Sequence, residues 1–92
     1  MPGLVLQTRA RGDEAPLRVG FTASRKVGGA VQRNRAKRRL RAAVDQVLAE
    51  RGTKGSDYVV IARADTVTRP FPLLVQDLGR ALDRVERPGD GR

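Results

Sequence analysis

The positive charge of this chain is concentrated in one segment, residues 25–41, and this concentration limits how the chain can fold. The 92 residues include 19 Lys or Arg and 10 Asp or Glu, a net charge of +9. The segment contains 8 of the basic residues and none of the acidic ones, which leaves 11 basic and 10 acidic residues elsewhere. Because charged side chains are rarely buried without a partner, the basic side chains of this segment must lie at the surface. The eight basic residues are Arg25, Lys26, Arg33, Arg35, Lys37, Arg38, Arg39 and Arg41.

Most of this segment is predicted to be helical. The helix is expected to begin at residue 29 or 30 and to end near residue 51, with Gly52 as its C-cap. At 100° per residue the apolar side chains form a stripe centred on Leu40. Arg33 falls on the apolar side, so the first turn is expected to project beyond the sheet. The stripe consists of Ala36, Leu40, Ala43, Val44, Val47 and Leu48, and the opposite side carries Asn34, Arg35, Arg38, Arg39 and Arg41.

The rest of the sequence predicts three strands and a second helix. Residues 4–9 and 17–24 are predicted strands, and the Gly- and Pro-containing turn between them favours an antiparallel hairpin. Residues 57–63 are an apolar, β-branched run that predicts a strand buried on both faces, and its place after a helix favours a βαβ crossover. A last helix is predicted from residue 70 onwards. Its expected core face is Phe71, Leu74, Val75, Leu78, Leu82 and Val85.

The composition restricts the class of protein. The length predicts a single domain, residues 1–85, followed by a polar and disordered tail, residues 86–92. The chain has no Cys and no His, which excludes disulfides and removes the usual general bases and nucleophiles. A metal-dependent nuclease would need several carboxylates around its ions, and the ten acidic residues are scattered. No stretch has the length of a signal peptide or membrane span, so we expect a cytoplasmic protein.

The basic helix indicates an anionic partner. Arg35 with Arg39, and Lys37 with Arg41, are like-charged pairs four residues apart, which destabilise an isolated helix. Phosphates of a nucleic acid would relieve this repulsion, and about five or six phosphate contacts would give a salt slope of roughly −4 to −5. A basic targeting signal and a merely solvated face are the alternatives, and the apolar stripe on the same helix disfavours the targeting signal.

The segment 19–41, VGFTASRKVGGAVQRNRAKRRLR, resembles the signature of the bacterial ribonuclease P protein family. In that family a strand ending in a Ser-Lys-Lys-like triplet leads through Val-Gly into a helix with Arg-Asn-Arg. Here the triplet is 24–26, the glycine is Gly28 and the Arg-Asn-Arg element is 33–35. The segment YVVIAR, residues 58–63, resembles a later strand of the family, and the resemblance covers about residues 4–85.

The resemblance implies a fold and a function. The fold would be α+β, a small single-domain split β-α-β sandwich (ribosomal protein S5 domain 2-like) with a three- to four-stranded sheet and two helices. The RNA subunit of ribonuclease P would be the catalyst, removing 5′ leaders from precursor tRNA with Mg²⁺ bound mainly by that RNA. The protein would provide no catalytic residue and bind neither membrane nor small-molecule substrate. Residues implied for RNA binding are Arg25, Lys26, Arg33, Asn34, Arg35, Lys37, Arg38, Arg39 and Arg41, and those for a leader cleft are Gly20, Thr22, Ser24 and Arg63.

One departure from the family pattern affects the expected leader cleft. Family members begin with a helix and a short strand before the strand that starts here at Leu4, and that helix supplies aromatic residues to the cleft. We therefore expect the natural protein to be longer, and the 92-residue form to bind the RNA subunit while discriminating poorly for leader-bearing substrate. A structural RNA-binding protein of ribosomal type is the alternative function, since it would share the charge and could share the fold.

Overall fold

Three strands and two helices make up the described part of the chain. The computed structural model describes residues 3–52 and 54–86. The elements are β1 (Leu4–Ala10), β2 (Arg18–Thr22), α1 (Ala30–Arg51), β3 (Ser56–Ala62) and α2 (Phe71–Glu86). Single 3₁₀ turns at Arg25–Val27 and Ala64–Thr66 precede the two helices. The predicted elements are confirmed to within one or two residues, and residues 87–92 of the predicted tail lie outside the described ranges.

The sheet has the order β1-β3-β2, which corrects the predicted hairpin. β1 pairs with β3 antiparallel and β2 pairs with β3 parallel, so β1 and β2 are separated by a strand from late in the chain. The apolar β3 takes the central position, where both of its edges are paired. The segment 11–17 crosses the end of β3 instead of closing a hairpin. Its backbone bonds to Gly55 on both sides: Arg11 N–H donates to the Gly55 carbonyl at 2.7 Å, and Gly55 N–H donates to the Ala15 carbonyl at 2.8 Å.

Both helices pack on the same face of the sheet. α1 lies against β2 and β3, α2 lies against β1, and the two helices contact each other. The prediction that β3 is buried on both faces is wrong, because only Tyr58, Val60 and Ala62 point into this helix-covered side, whereas Val59 and Ile61 are half-buried on the other. The sheet therefore has one face without a helix among the described residues. We call this the open face; it carries Val5, Gln7, Gly20, Thr22, Val59 and Ile61.

The predicted core faces of the helices are largely confirmed. In α1, five of the six predicted core residues are buried and Val47 is half-buried. In α2, Leu74, Leu78 and Leu82 are fully buried. Val85 is 37% exposed, so its assignment to the core is wrong; it lies in the last turn, beyond Leu82. No helix in the described ranges is long and apolar enough to cross a membrane.

Candidate nucleic-acid interface

One side of α1 carries positive charge that no acidic residue offsets within the described part of the chain. Asn34, Arg35, Arg38 and Arg41 are exposed and Lys37 is half-buried; we call these five residues the basic face. Within residues 3–52 and 54–86, the ion pairs involve other arginines, and none includes a basic residue of the segment 25–41. The like-charge repulsion predicted from the sequence is therefore present in the structure, and no acidic residue in the described ranges relieves it.

The N-terminus of α1 adds to this positive surface. Its N-cap, Gly29, has no side chain that could accept hydrogen bonds from the free N–H groups of the first turn. That turn also contains no acidic residue. The exposed N–H groups and the helix dipole give this end a partial positive charge. Arg33 falls on the apolar side of the helical wheel, but its side chain turns back towards the start of the helix. Its Nη1 donates to the Gly28 carbonyl at 3.3 Å. Gly28 has φ of 142°, a conformation that favours glycine.

Arg39 differs from its neighbours in the same helix. Its Nε donates to the carbonyl of Thr66 at 2.9 Å, and its Nη2 donates to the carbonyl of Arg69. These bonds attach α1 to the segment that leads into α2. The helical wheel places Arg39 opposite the apolar stripe, but the connector between β3 and α2, residues 63–70, covers that part of the helix. The sequence contains no local pattern that shows which arginine the connector will meet.

A buried polar cluster holds the same connector to α2 and β1. Asp77 is 1% exposed and accepts from Arg69 through both oxygens, with Nε–Oδ2 of 2.6 Å and Nη2–Oδ1 of 3.2 Å. The fully buried Thr66 accepts from the Arg63 N–H at 2.9 Å and donates to the Gly3 carbonyl at 2.5 Å. This cluster is not among the residues predicted from the sequence. Asp77 lies beside Leu78 on the apolar side of α2, and an acid in that position does indicate a buried partner.

The open face brings together the residues predicted for the leader cleft. Gly20 lies opposite Val59 and Thr22 lies opposite Ile61 in the β2–β3 register. A Cβ at Gly20 would have no atom within 4 Å, so the surface above it is unobstructed. Ser24 and Arg63 line a cavity of about 400 Å³ at the end of this face. The cavity is also lined by Val5, Lys26, Val27 and Ile61, so a basic side chain stands beside the apolar floor.

The opposite end of the open face is closed by an ion cluster. Asp57 accepts from Arg18 Nε at 2.9 Å and from Arg11 Nη1 at 2.5 Å. The hydrogen bond from Arg18, followed by that from Arg11, lowers the pKa of Asp57 from 3.8 to about 2. Arg11 also donates to the carbonyls of Ser56 and Pro16, which ties the segment 11–17 to the start of β3. The charged groups at this end therefore stabilise the fold. The other end is occupied by Ser24, Lys26 and Arg63.

An aromatic ring lies beneath the C-terminal part of the basic face. The guanidinium carbon of Arg41 lies 5.3 Å from the centre of the Phe21 ring, within cation–π range. Phe21 is half-buried and packs against the core on the helix-covered side. It therefore fixes the position of an exposed arginine and is not part of the open face.

Comparison with known proteins agrees with this arrangement. A sequence model described as Ribonuclease P matches residues 1–86. The ribonuclease P protein component of Paramagnetospirillum magneticum is 56% identical over 88 residues, covering 91% of this chain and 66% of that protein. The component from Ruegeria pomeroyi is 52% identical over 88 residues, covering 92% and 70%. The ribonuclease P protein structure from Thermotoga maritima is 30% identical, with a TM-score of 0.72 over 92% of this chain and 79% of that one.

The fold and the charge define a class of protein, and the comparisons identify the family within that class. The described residues form a small basic α+β domain whose parallel strands β2 and β3 are joined by an arginine-rich helix. The chain belongs to the ribonuclease P protein family. It spans 66 to 72% of the length of three of the curated relatives that it matches. The predicted family and the predicted α+β fold are both confirmed.

Proposed function

We propose that this chain is the protein subunit of a bacterial ribonuclease P. It binds the catalytic RNA subunit through the basic face and the 5′ leader of precursor tRNA through the open face, and assists the RNA in removing the leader. The observation that carries the proposal is the basic face itself. Its cationic side chains lie on successive turns of one rigid helix without a carboxylate partner in the described ranges.

The basic face suits the phosphate backbone of a folded RNA. The guanidinium groups of Arg35, Arg38 and Arg41 can each make two parallel hydrogen bonds to one phosphate. Asn34 can donate and accept through its amide, which suits a 2′-hydroxyl or a base edge. The uncapped N-terminus of α1 offers backbone N–H groups to a further phosphate. Arg33 and Arg39 support this surface from below, through their bonds to backbone carbonyls.

The open face suits an extended single strand. Gly20 leaves room for a backbone to approach the sheet closely, and the hydroxyls of Thr22 and Ser24 can bond to sugar or phosphate oxygens. Lys26 and Arg63 would hold phosphates at the end of the face. Arg25 lies in the same 3₁₀ turn as Lys26 and is exposed. This turn joins the two surfaces, so one RNA complex could contact both.

The proposed role needs no catalytic group in the protein. No group of three or more His, Cys, Asp or Glu residues among those described could hold a metal ion. Mg²⁺ would be bound mainly by the RNA. Because the protein places fixed positive charge against phosphates that otherwise repel one another, the RNA would fold and bind substrate at a lower Mg²⁺ concentration. A structural RNA-binding protein of ribosomal type remains the second candidate, since the basic face alone would serve it equally.

Reconstitution with a bacterial ribonuclease P RNA and a precursor tRNA at low Mg²⁺ tests this proposal. We expect the chain to increase the cleavage rate in an RNA-dependent manner. The double variant Arg35→Ala/Arg38→Ala should lose most of this increase at low Mg²⁺. The double variant Arg80→Ala/Arg84→Ala removes the same charge from exposed positions of α2 and should keep it.

The alternatives give different results in the same assay. Binding to the RNA without any gain in cleavage would support the structural RNA-binding protein. Cleavage by the protein without the RNA would show a protein nuclease. Equal loss in both double variants would show that overall charge, and not the basic face, is responsible.

A further inference from the structure

A groove runs between the first turns of α1 and the beginning of α2, next to the basic face, with which it shares Arg35. We propose that it accepts one unstacked nucleotide of the bound RNA; this rests on the proposed function and adds a specific pocket to it. The groove has a volume of about 540 Å³, within the range of about 300–1,000 Å³ typical of small-ligand sites. Its walls differ in character, because one is apolar and the other is cationic.

The apolar wall combines one exposed valine with Val67 and Phe71, which also pack against the core. Val31 is 73% exposed although it lies in the first turn of the most highly charged helix. The half-buried Phe71, the first residue of α2, faces the same groove together with Val67 and Pro70. A single exposed apolar residue is common on protein surfaces. A valine beside a partly exposed aromatic ring, both lining one concavity, offers a flat ligand a stacking surface.

The cationic wall carries charge without compensation. Arg35 makes no hydrogen bond or ion pair with the residues described in the structure. Among the described residues Arg39 donates only to carbonyls, and no carboxylate there neutralises it. Arg69 also lines the groove, but Asp77 balances its charge from behind. No acidic residue lines the groove, and two net positive charges therefore face it.

A flat, partly apolar group attached to an anion fits both walls. A nucleotide supplies this combination: its base can lie against Phe71 and Val31 while its phosphate reaches Arg35. Bases stacked within a duplex cannot enter, so the nucleotide must come from a loop, bulge or single strand, where aromatic stacking is a common mode of recognition. Gln32 and Thr68, also in the lining, provide an amide and a hydroxyl for the base edge or sugar. An acidic peptide would use Arg35 but would gain little from the aromatic ring.

Affinity and salt dependence together test this pocket. We would measure the affinity of the chain for a bacterial ribonuclease P RNA at several salt concentrations, using Phe71→Leu, Val31→Ala, Arg35→Ala and the control Val85→Ala. Phe71→Leu should weaken binding about fivefold or more, as expected for the loss of one stacked base, without changing the salt slope. Val31→Ala should weaken it in the same way but less, and its exposed position keeps the fold intact. Arg35→Ala should instead flatten the slope by about one unit, and Val85→Ala should change neither.

Crosslinking gives an independent readout of the same contact. Ribonuclease P RNA carrying 4-thiouridine, irradiated in complex and digested with trypsin, should form an adduct on the peptide 64–80, which contains Phe71. Unchanged affinity in both Phe71→Leu and Val31→Ala, with no adduct on this peptide, would overturn the pocket. A flattened salt slope in Arg35→Ala would then still support the proposed function. Absence of binding by the unaltered chain would overturn both. Polyglutamate could also compete with the RNA for the chain. If Arg35→Ala weakened this competition and Phe71→Leu left it unaffected, the groove would be a site for an acidic peptide instead.

Discussion

At the scale of single residues, the environment of a side chain decides whether its charge is available to a partner. Arg38 and Arg39 are adjacent and chemically identical, and the wheel places both on the polar side of α1. Arg38 is exposed, whereas Arg39 donates to two carbonyls of the segment before α2. The difference arises because the segment before α2, which lies 27 to 30 residues further along the chain, passes over Arg39 and not over Arg38. No local sequence pattern predicts this path.

This contrast gives a paired prediction. Arg39→Ala should lower the free energy of unfolding by about 2 kcal/mol, because it leaves two carbonyls without the charged donor that now satisfies them. Arg38→Ala should leave stability nearly unchanged and weaken RNA binding. Urea denaturation and a salt titration of RNA binding measure the two effects. Similar stability losses in the two variants would contradict the structural role assigned to Arg39.

A second residue-scale prediction concerns acid. The pKa of Asp57 is about 2 in the folded chain, below its ordinary value of 3.8, because Arg18 and Arg11 donate to it. A lowered folded-state pKa means that the carboxylate stabilises the fold above about pH 4 and that this contribution is lost as the pH falls towards 2. Asp57→Asn should therefore be less stable than the unaltered chain at neutral pH, and the two curves should converge near pH 2. Denaturation at a series of pH values measures this.

A matched control identifies the source of the effect. Glu14 is exposed and makes no hydrogen bond or ion pair within the described ranges, so Glu14→Gln removes one carboxylate without removing an arginine contact. Its acid profile should parallel that of the unaltered chain. If Asp57→Asn also ran parallel, the ion cluster would contribute nothing to the acid sensitivity of the fold.

At the scale of elements, the periodicity of apolar residues predicted the strands and helices but not the order of the strands in the sheet. The apolar spacing around Leu40 and the β-branched run in β3 are local features, and they located α1 and β3 to within one or two residues. The pairing partner of β1 is β3, more than 45 residues away. A turn of Gly, Asp and Pro between two strands fits a hairpin and fits equally a bridge across an inserted strand. Only the placement of β3 in the centre decides between them.

The buried pair of Arg69 and Asp77 joins elements and can be tested as such. Asp77→Asn should destabilise the fold by about 3 kcal/mol, because it leaves a partly buried guanidinium without its counter-charge. The double variant Arg69→Gln/Asp77→Asn replaces the ion pair with a neutral pair of similar volume. It should be more stable than Asp77→Asn alone, as measured by chemical denaturation in a double-mutant cycle. Additive losses would show that the two side chains act independently.

At the scale of the whole molecule, the fold places the two proposed RNA surfaces on different sides of one sheet. α1 lies on the helix-covered side, and the open face is on the other; the turn of Arg25–Val27 joins them. The helical wheel predicted the exposure of Asn34, Arg35, Arg38 and Arg41, and the strand alternation placed Gly20 and Thr22 on one face of β2. The partial exposure of Val59 and Ile61 on the open face was not predicted. Sequence analysis could not predict the groove beside Phe71, because that groove forms only where α1 and α2 meet.

Because the surfaces are separate, substitutions should divide into two classes. Lys26→Ala/Arg63→Ala removes positive charge beside the open face, and should reduce the preference for leader-bearing precursor tRNA over leaderless tRNA while leaving affinity for the RNA subunit intact. Arg35→Ala/Arg38→Ala should do the reverse, and should flatten the salt slope of RNA-subunit binding by about two units. Both double variants remove two charges from the chain, so each controls for the other. If they had the same effect on both measurements, the chain would present one continuous electrostatic surface, and the assignment of subunit docking and leader binding to opposite sides of the sheet would fail.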